Sequence, residues 1–154
     1  MNDSNNTGSS ASGSGQVLVR NYTSSDYGKL IPLLAAVYNS RISQAELETN
    51  YISDNAEILL AVIDDVVVGC SFLEYRTDYV RESHTVFITY VAVDEAFRHR
   101  GIGTSLFREI EARAKTRGCS ALELTSADSR VAAHAFYHSL QFTRKKTTVF
   151  IKEL

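Results

Sequence analysis

The residues of this 154-residue chain that most plainly invite chemistry lie in one run, Arg98-His99-Arg100-Gly101-Ile102-Gly103, followed by Thr104. An apolar stretch ending at Val93 leads into the run and an amphipathic pattern leaves it, which predicts a strand turning into the start of a helix. A helix start offers unpaired backbone N–H groups and the positive end of the dipole, and glycines let an anion approach that backbone closely. Arg98, His99 and Arg100 strengthen the same field, so the run is suited to a phosphate or pyrophosphate. Two familiar phosphate turns do not fit. A P-loop needs a Lys where Thr104-Ser105 follow the second glycine, and a dinucleotide fingerprint needs a third Gly or Ala where Leu106 stands. A second segment carries a titratable phenol: in Ala133-His134-Ala135-Phe136-Tyr137, Phe136 shares a predicted core face with Ala132, Ala133 and Leu140, and Tyr137 sits at its edge.

These segments need elements to hold them. Residues 17–22 are a strand candidate. Thr23 followed by Asp26 makes a capping-box pattern, and Leu30, Leu33, Leu34 and Val37 recur at helical spacing, predicting a helix over 24–40. A more polar helix is expected over 43–53. The β-branched and aromatic runs 58–63 and 66–75 are joined by Asp64-Asp65 as a tight hairpin, 76–83 reads as a charged loop, and 85–93 as a strand buried on both faces. Ile102, Leu106, Ile110 and Ala114 mark a helix over 101–117, closed by Gly118. A strand at 121–125, a helix over 130–140 and two last strands near 142–145 and 148–152 complete the order. The strand, helix and strand within 85–125 form a crossover between parallel strands, whereas the hairpins are antiparallel. The expected fold class is therefore α/β: a mixed, mostly antiparallel sheet of six to seven strands flanked by about four helices, over residues 16–154. Residues 1–15, rich in Ser, Gly and Asn with no aromatic or branched aliphatic side chain, are expected to be disordered.

A net charge of -2 hides two opposite halves: residues 1–97 hold 5 basic and 13 acidic residues, residues 98–154 hold 11 basic and 5 acidic. The basic residues gather around one glycine turn and no base-stacking motif accompanies them, which argues against a nucleic-acid partner. No apolar run approaches the roughly 18 residues of a membrane span, and the N-terminus lacks a signal-peptide pattern, so no membrane partner and a cytoplasmic location are expected. Cys70 and Cys119 stand apart from any CxxC or Cys/His cluster and read as free thiols, with no metal site.

The pattern Arg-x-x-Gly-x-Gly after a strand, here Arg98 to Gly103, together with the helix carrying Ala133, Phe136 and Tyr137 and ending before Phe142, resembles the GNAT superfamily of acyl-CoA-dependent N-acetyltransferases. The element order matches over 16–154. The resemblance implies acetyl-CoA as co-substrate. Its pyrophosphate would be held by Arg98, His99, Arg100, Gly101, Ile102, Gly103 and Thr104, its pantetheine arm by the backbone of Val91 and Val93, with Arg130 a further contact. It implies direct attack of an amine on the thioester, without an acyl-enzyme, an oxyanion facing a backbone N–H in the stretch 89–93, and Tyr137 as the acid that protonates the departing thiolate.

Two departures from the family pattern matter. The strand before Val91 carries no carboxylate, so the base is left open among Glu82, Glu74, Asp78, His84 and solvent. Gln141 replaces the glycine usual before Phe142, where a left-handed turn costs a non-glycine residue, so a different helix end is expected. The acceptor, a small-molecule or protein amine, is expected to bind among the 38–44 connection, the 76–83 loop and the C-terminal hairpin, with Glu74, Asp78 and Glu82 near its entry. The pattern leaves room for a homodimer, and for the alternative of an acyl-CoA-binding or protein-interaction domain with little turnover.

Overall fold

The computed structural model describes residues 15–154, so the expected disordered tail falls, apart from Gly15, outside the described residues. Five strands form one sheet in the order β1-β2-β3-β4-β5: β1 is Leu18–Asn21, β2 Ala56–Ile63, β3 Val66–Asp78, β4 Ser83–Val93 and β5 Ala121–Leu124. The first four pair antiparallel and β4–β5 is parallel, as the crossover required. The helices are α1 (Tyr27–Tyr38), α2 (Gln44–Tyr51), α3 (Ile102–Thr116) and α4 (Val131–Ser139).

Apolar alternation along the strands splits the core into two layers. On one face Leu30, Leu33, Leu34 and Leu47 of α1 and α2 pack on Ile58, Leu60, Cys70, Phe72 and Ala92. On the other, Ile102, Leu106, Phe107, Ile110 and Ala114 of α3 pack on Leu59, Ala61, Val68, Val86 and Ile88. The local signals behave as their chemistry dictates. The Thr23/Asp26 capping box forms, and Asp26, 3% exposed, also receives both Arg20 guanidinium nitrogens at 2.7 Å. Asp64 and Asp65 both take positive φ, 47° and 65°, the backbone twist that a two-residue hairpin loop needs. Gly118 (φ 69°) closes α3 with bonds from its N–H to Lys115 and from Cys119 N–H to Ala114.

Three expectations fail. The segment 76–83 is half strand, since β3 runs to Asp78 and β4 begins at Ser83, which leaves a four-residue turn over 79–82. β4 is not buried on both faces: Val86, Ile88 and Ala92 are buried, but Thr85, Phe87, Val91 and Val93 are half-buried and Tyr90 is exposed. The two last strands do not form among the described residues, so the sheet has five strands instead of six to seven. Residues 143–154 are exposed, Phe150 at 92%, and their contacts to the body include ion pairs of Arg144 with Asp128 and Lys145 with Glu123. An apolar stretch becomes a strand only if a bonded edge and a face to cover await it, and three consecutive cations at 144–146 oppose close packing. Among the described residues no helix is long and apolar enough to cross a membrane.

Candidate active site

β4 and β5 pair only as far as Ile88↔Leu124; beyond that the strands part. Thr89 is an extra residue in β4, lying between the pairs Leu73↔Ile88 and Phe72↔Tyr90. A bulge bends its strand and sharpens the twist, which carries residues 90–93 away from β5. Val91 lies opposite Ser71, and the bond from Asp94 N–H to Val68 C=O sets an alternation that turns the Val91 N–H and C=O away from β3, while β5 has no pair at this position. Both meet the Tyr38 hydroxyl at the C-terminus of α1: the amide donates to it at 3.1 Å and the hydroxyl donates to the carbonyl at 2.6 Å. Two buried hydroxyls have no partner among the described residues. Ser71 faces Val91 across the register, and Ser126 lies two residues past the last β5 pair. A gap between parallel strands with strand-like backbone groups on one wall suits an extended amide-bearing chain.

α3 begins where the sequence placed it. Gly101 is its N-cap at φ 78°, no side chain caps it, and the first intrahelical bond runs from Ser105 N–H to Gly101 C=O, leaving the Ile102, Gly103 and Thr104 amides at the open end. Gly103 serves packing: a β-carbon there would stand 2.9 Å from Cζ of Phe136, so α3 and α4 meet at this glycine. The three basic residues differ. Arg98 lines a cleft of about 880 Å³ with Arg130, Asp94, Val37 and Tyr38; Arg100 lies 5.2 Å over the Phe97 ring; and His99, exposed at φ 61°, lies outside the cleft lining. Val93 packs into the α3 layer.

Tyr137 is half-buried among Phe107, Phe136 and Phe142, with ring centroids 5.9, 5.7 and 6.0 Å away. Burial pushes its phenol above the ordinary value of 10, and the positive charge of Arg130 acts the other way. The same two influences act on Tyr38, burial upward and Arg130 downward, and each phenol feels Arg130, so the two hydroxyls and the guanidinium share one neighbourhood. Gln141 keeps the left-handed turn at φ 66°, contrary to expectation: Phe142 N–H bonds Tyr137 C=O and Gln141 N–H bonds His138 C=O, both at 3.0 Å, which outweigh the strain.

The register also sorts the candidate bases. At about 3.3 Å per residue, Asp78 and Ser83 pair roughly 25 Å along the strand from Val91, which removes Asp78, Glu82 and His84 from the gap. Asp78 instead accepts from the Val80 and Arg81 amides, and His84 bonds Thr77. Glu74, opposite Phe87, is roughly 13 Å away by the same spacing and is bound to Arg76 at 2.8 Å; the Tyr51 phenol is raised chiefly by burial, with the Glu74 charge a smaller push in the same direction. The expectation that three carboxylates gather at an amine entry therefore reduces to one. Cys70 is buried with its thiol pushed up to about 12, unsuited to act as a nucleophile, and Cys119 is free and half-buried. Tyr38 escaped notice in the sequence because its only signal was an amphipathic residue ending a helix.

A parallel crossover whose strands splay at a bulge, with a glycine-opened helix at the splay, defines a fold class, and the comparisons name it. The Acetyltransferase (GNAT) family profile matches residues 25–142. The chain belongs to that family. It is 31% identical over 117 residues to the N-acetylaspartate synthetase of Homo sapiens, covering 68% of this chain. It is 23% identical over 104 residues to an aminoglycoside N(6')-acetyltransferase type 1 of Salmonella typhimurium, covering 66% of this chain and 72% of that protein. The chain spans 34% and 37% of the N-acetylaspartate synthetases of Danio rerio and Homo sapiens. In fold it matches an aminoglycoside N-acetyltransferase solved with CoA at a TM-score of 0.80 and 19% identity, over 90% of this chain and 95% of that one.

Proposed function

We propose that this chain transfers an acetyl group from acetyl-CoA to a primary amine by direct attack in a ternary complex, in the cytoplasm. The observation that carries the reading is the backbone of Val91, turned into the gap between β4 and β5 with both polar groups free of any strand. Acetyl-CoA supplies an acyl group already activated as a thioester. The open end of α3, with Arg98 and Arg130, draws its phosphates; the Val91 C=O accepts from an amide of the arm, and the Val91 N–H donates to the thioester carbonyl and polarises it. Tyr137, protonated because burial raises its phenol, delivers the proton that the thiolate requires. Neither cysteine takes part.

Glu74 reaches the amine only through water, which favours a second reading: a domain that binds acyl-CoA with little turnover. Thiol release from acetyl-CoA, measured with and without amines, separates the two. Amine-dependent release that falls in Tyr137→Phe supports the enzyme; CoA binding without release for any amine overturns it.

A further inference from the structure

Beside the gap lies a second cavity that the cofactor does not need. It measures about 320 Å³, the small end of the ligand-pocket range of roughly 300–1,000 Å³. Its floor is Leu34, Leu47 and Phe72, each at most 5% exposed, and its walls are the rings of Tyr38, Tyr51 and Tyr90. The rings stand edge to face: Tyr51 to Phe72 at 5.0 Å, Phe72 to Tyr90 at 5.5 Å, Tyr38 to Tyr90 at 5.2 Å. No charged residue lines it. Tyr38 is common to this cavity and to the 880 Å³ cleft, and its hydroxyl touches Val91, so the cavity opens onto the backbone assigned to the thioester.

We infer that the acceptor is a primary amine carried on one uncharged aryl or branched aliphatic group, which fills this aromatic cavity while the amine nitrogen points at Val91. The inference rests on the transferase reading above and specifies its substrate. A carboxylate in the cavity would lose its water and find no cation in the lining, whereas an apolar group leaves water for matching walls. The face of Tyr90, 37% exposed at the rim, attracts the entering ammonium before it gives its proton to water. The nitrogen then forms a bond to the acyl carbon, the carbon–sulfur bond breaks and the thiolate takes the Tyr137 proton, while the proton that the nitrogen sheds passes through water to restore the Tyr137 phenol, yielding an amide and CoA.

The test is thiol release from acetyl-CoA by the full chain with 2-phenylethylamine, 3-methylbutylamine, aspartate and kanamycin. The two apolar amines are expected to show kcat/KM at least tenfold above the other two. Tyr51→Ala should lower kcat/KM for 2-phenylethylamine about tenfold through KM, with the KM for acetyl-CoA unchanged as the sign of an intact fold, and Tyr51→Phe should restore it. Preference for kanamycin or aspartate, or an unchanged KM for 2-phenylethylamine in a folded Tyr51→Ala, overturns the inference alone. No turnover with any amine overturns the transferase reading and this inference with it.

Discussion

The Tyr38 hydroxyl satisfies both backbone groups of Val91, a residue 53 positions away, accepting from the amide at 3.1 Å and donating to the carbonyl at 2.6 Å. A ligand arm that uses these groups must displace it. Tyr38→Phe removes the competitor and leaves the groups unsatisfied, so CoA should bind about two- to tenfold more tightly, the equivalent of one net hydrogen bond of roughly 0.5–1.5 kcal/mol. Titration calorimetry measures this; unchanged or weaker binding would show that Val91 is not the contact.

Tyr137→Phe should lower kcat by about a hundredfold, a general acid's usual share, with CoA affinity unchanged. Because burial raises the phenol above its ordinary value of 10, the alkaline fall in kcat should be centred above that value. Arg130→Ala removes the charge that holds the phenol down and so raises it further. A kcat profile that falls between pH 8 and 9 would assign the proton to another group.

Gly103 and Gly101 should separate packing from ligand approach. Gly103→Ala drives a methyl into Phe136 and should cost about 1–3 kcal/mol. In a Phe136→Leu background the cost should shrink by at least about 0.5 kcal/mol, read by urea denaturation as a double-mutant cycle. Gly101→Ala meets no neighbour, and its cost of about 1 kcal/mol comes from φ 78° alone, so Phe136→Leu should not change it.

Gln141→Gly should raise stability by up to about 1 kcal/mol, since it keeps the bonds from 141 and 142 and relieves the strain at φ 66°. Thermal unfolding reads this directly, and a lower midpoint would mean that the glutamine side chain contributes more than its backbone costs.

Asp26, held well below the usual carboxylate range chiefly by its bonds from Arg20, gives a sign for acid sensitivity. Its contribution is complete above the unfolded value of about 3.9 and is lost as pH falls through the lower folded value. Asp26→Asn should therefore destabilise the chain at pH 7 by about 2–4 kcal/mol, less than a fully buried pair because Arg20 is partly exposed, and flatten the acid limb of the stability curve below pH 4.

The sequence revealed features whose cause is local. Asp64-Asp65, Gly118 and the change of period after Gly103 each impose their geometry within a few residues, and each stands where expected. Features that depend on a distant partner did not show. Residues 148–152 have strand composition, yet β5 offers a short edge and no strand forms. Glu74, Asp78 and Glu82 are close in sequence, but the hairpin carries Asp78 and Glu82 to its tip and leaves Glu74 part-way along. Tyr38 matters through a backbone group on another element, which no local spacing encodes.

Thr89 sets the phase of β4. Before it, Val86 and Ile88 face α3; after it, Val91 and Val93 do so, and Tyr90 and Ala92 turn to the opposite layer. Were Thr89 paired in regular alternation, Tyr90 would follow Ile88 under α3 and Val91 would turn away from its present layer. One uncounted position thus divides a single strand into a half that anchors the sheet and a half that can diverge to suit a new acceptor, since substitutions past Thr89 need not disturb the alternation before it.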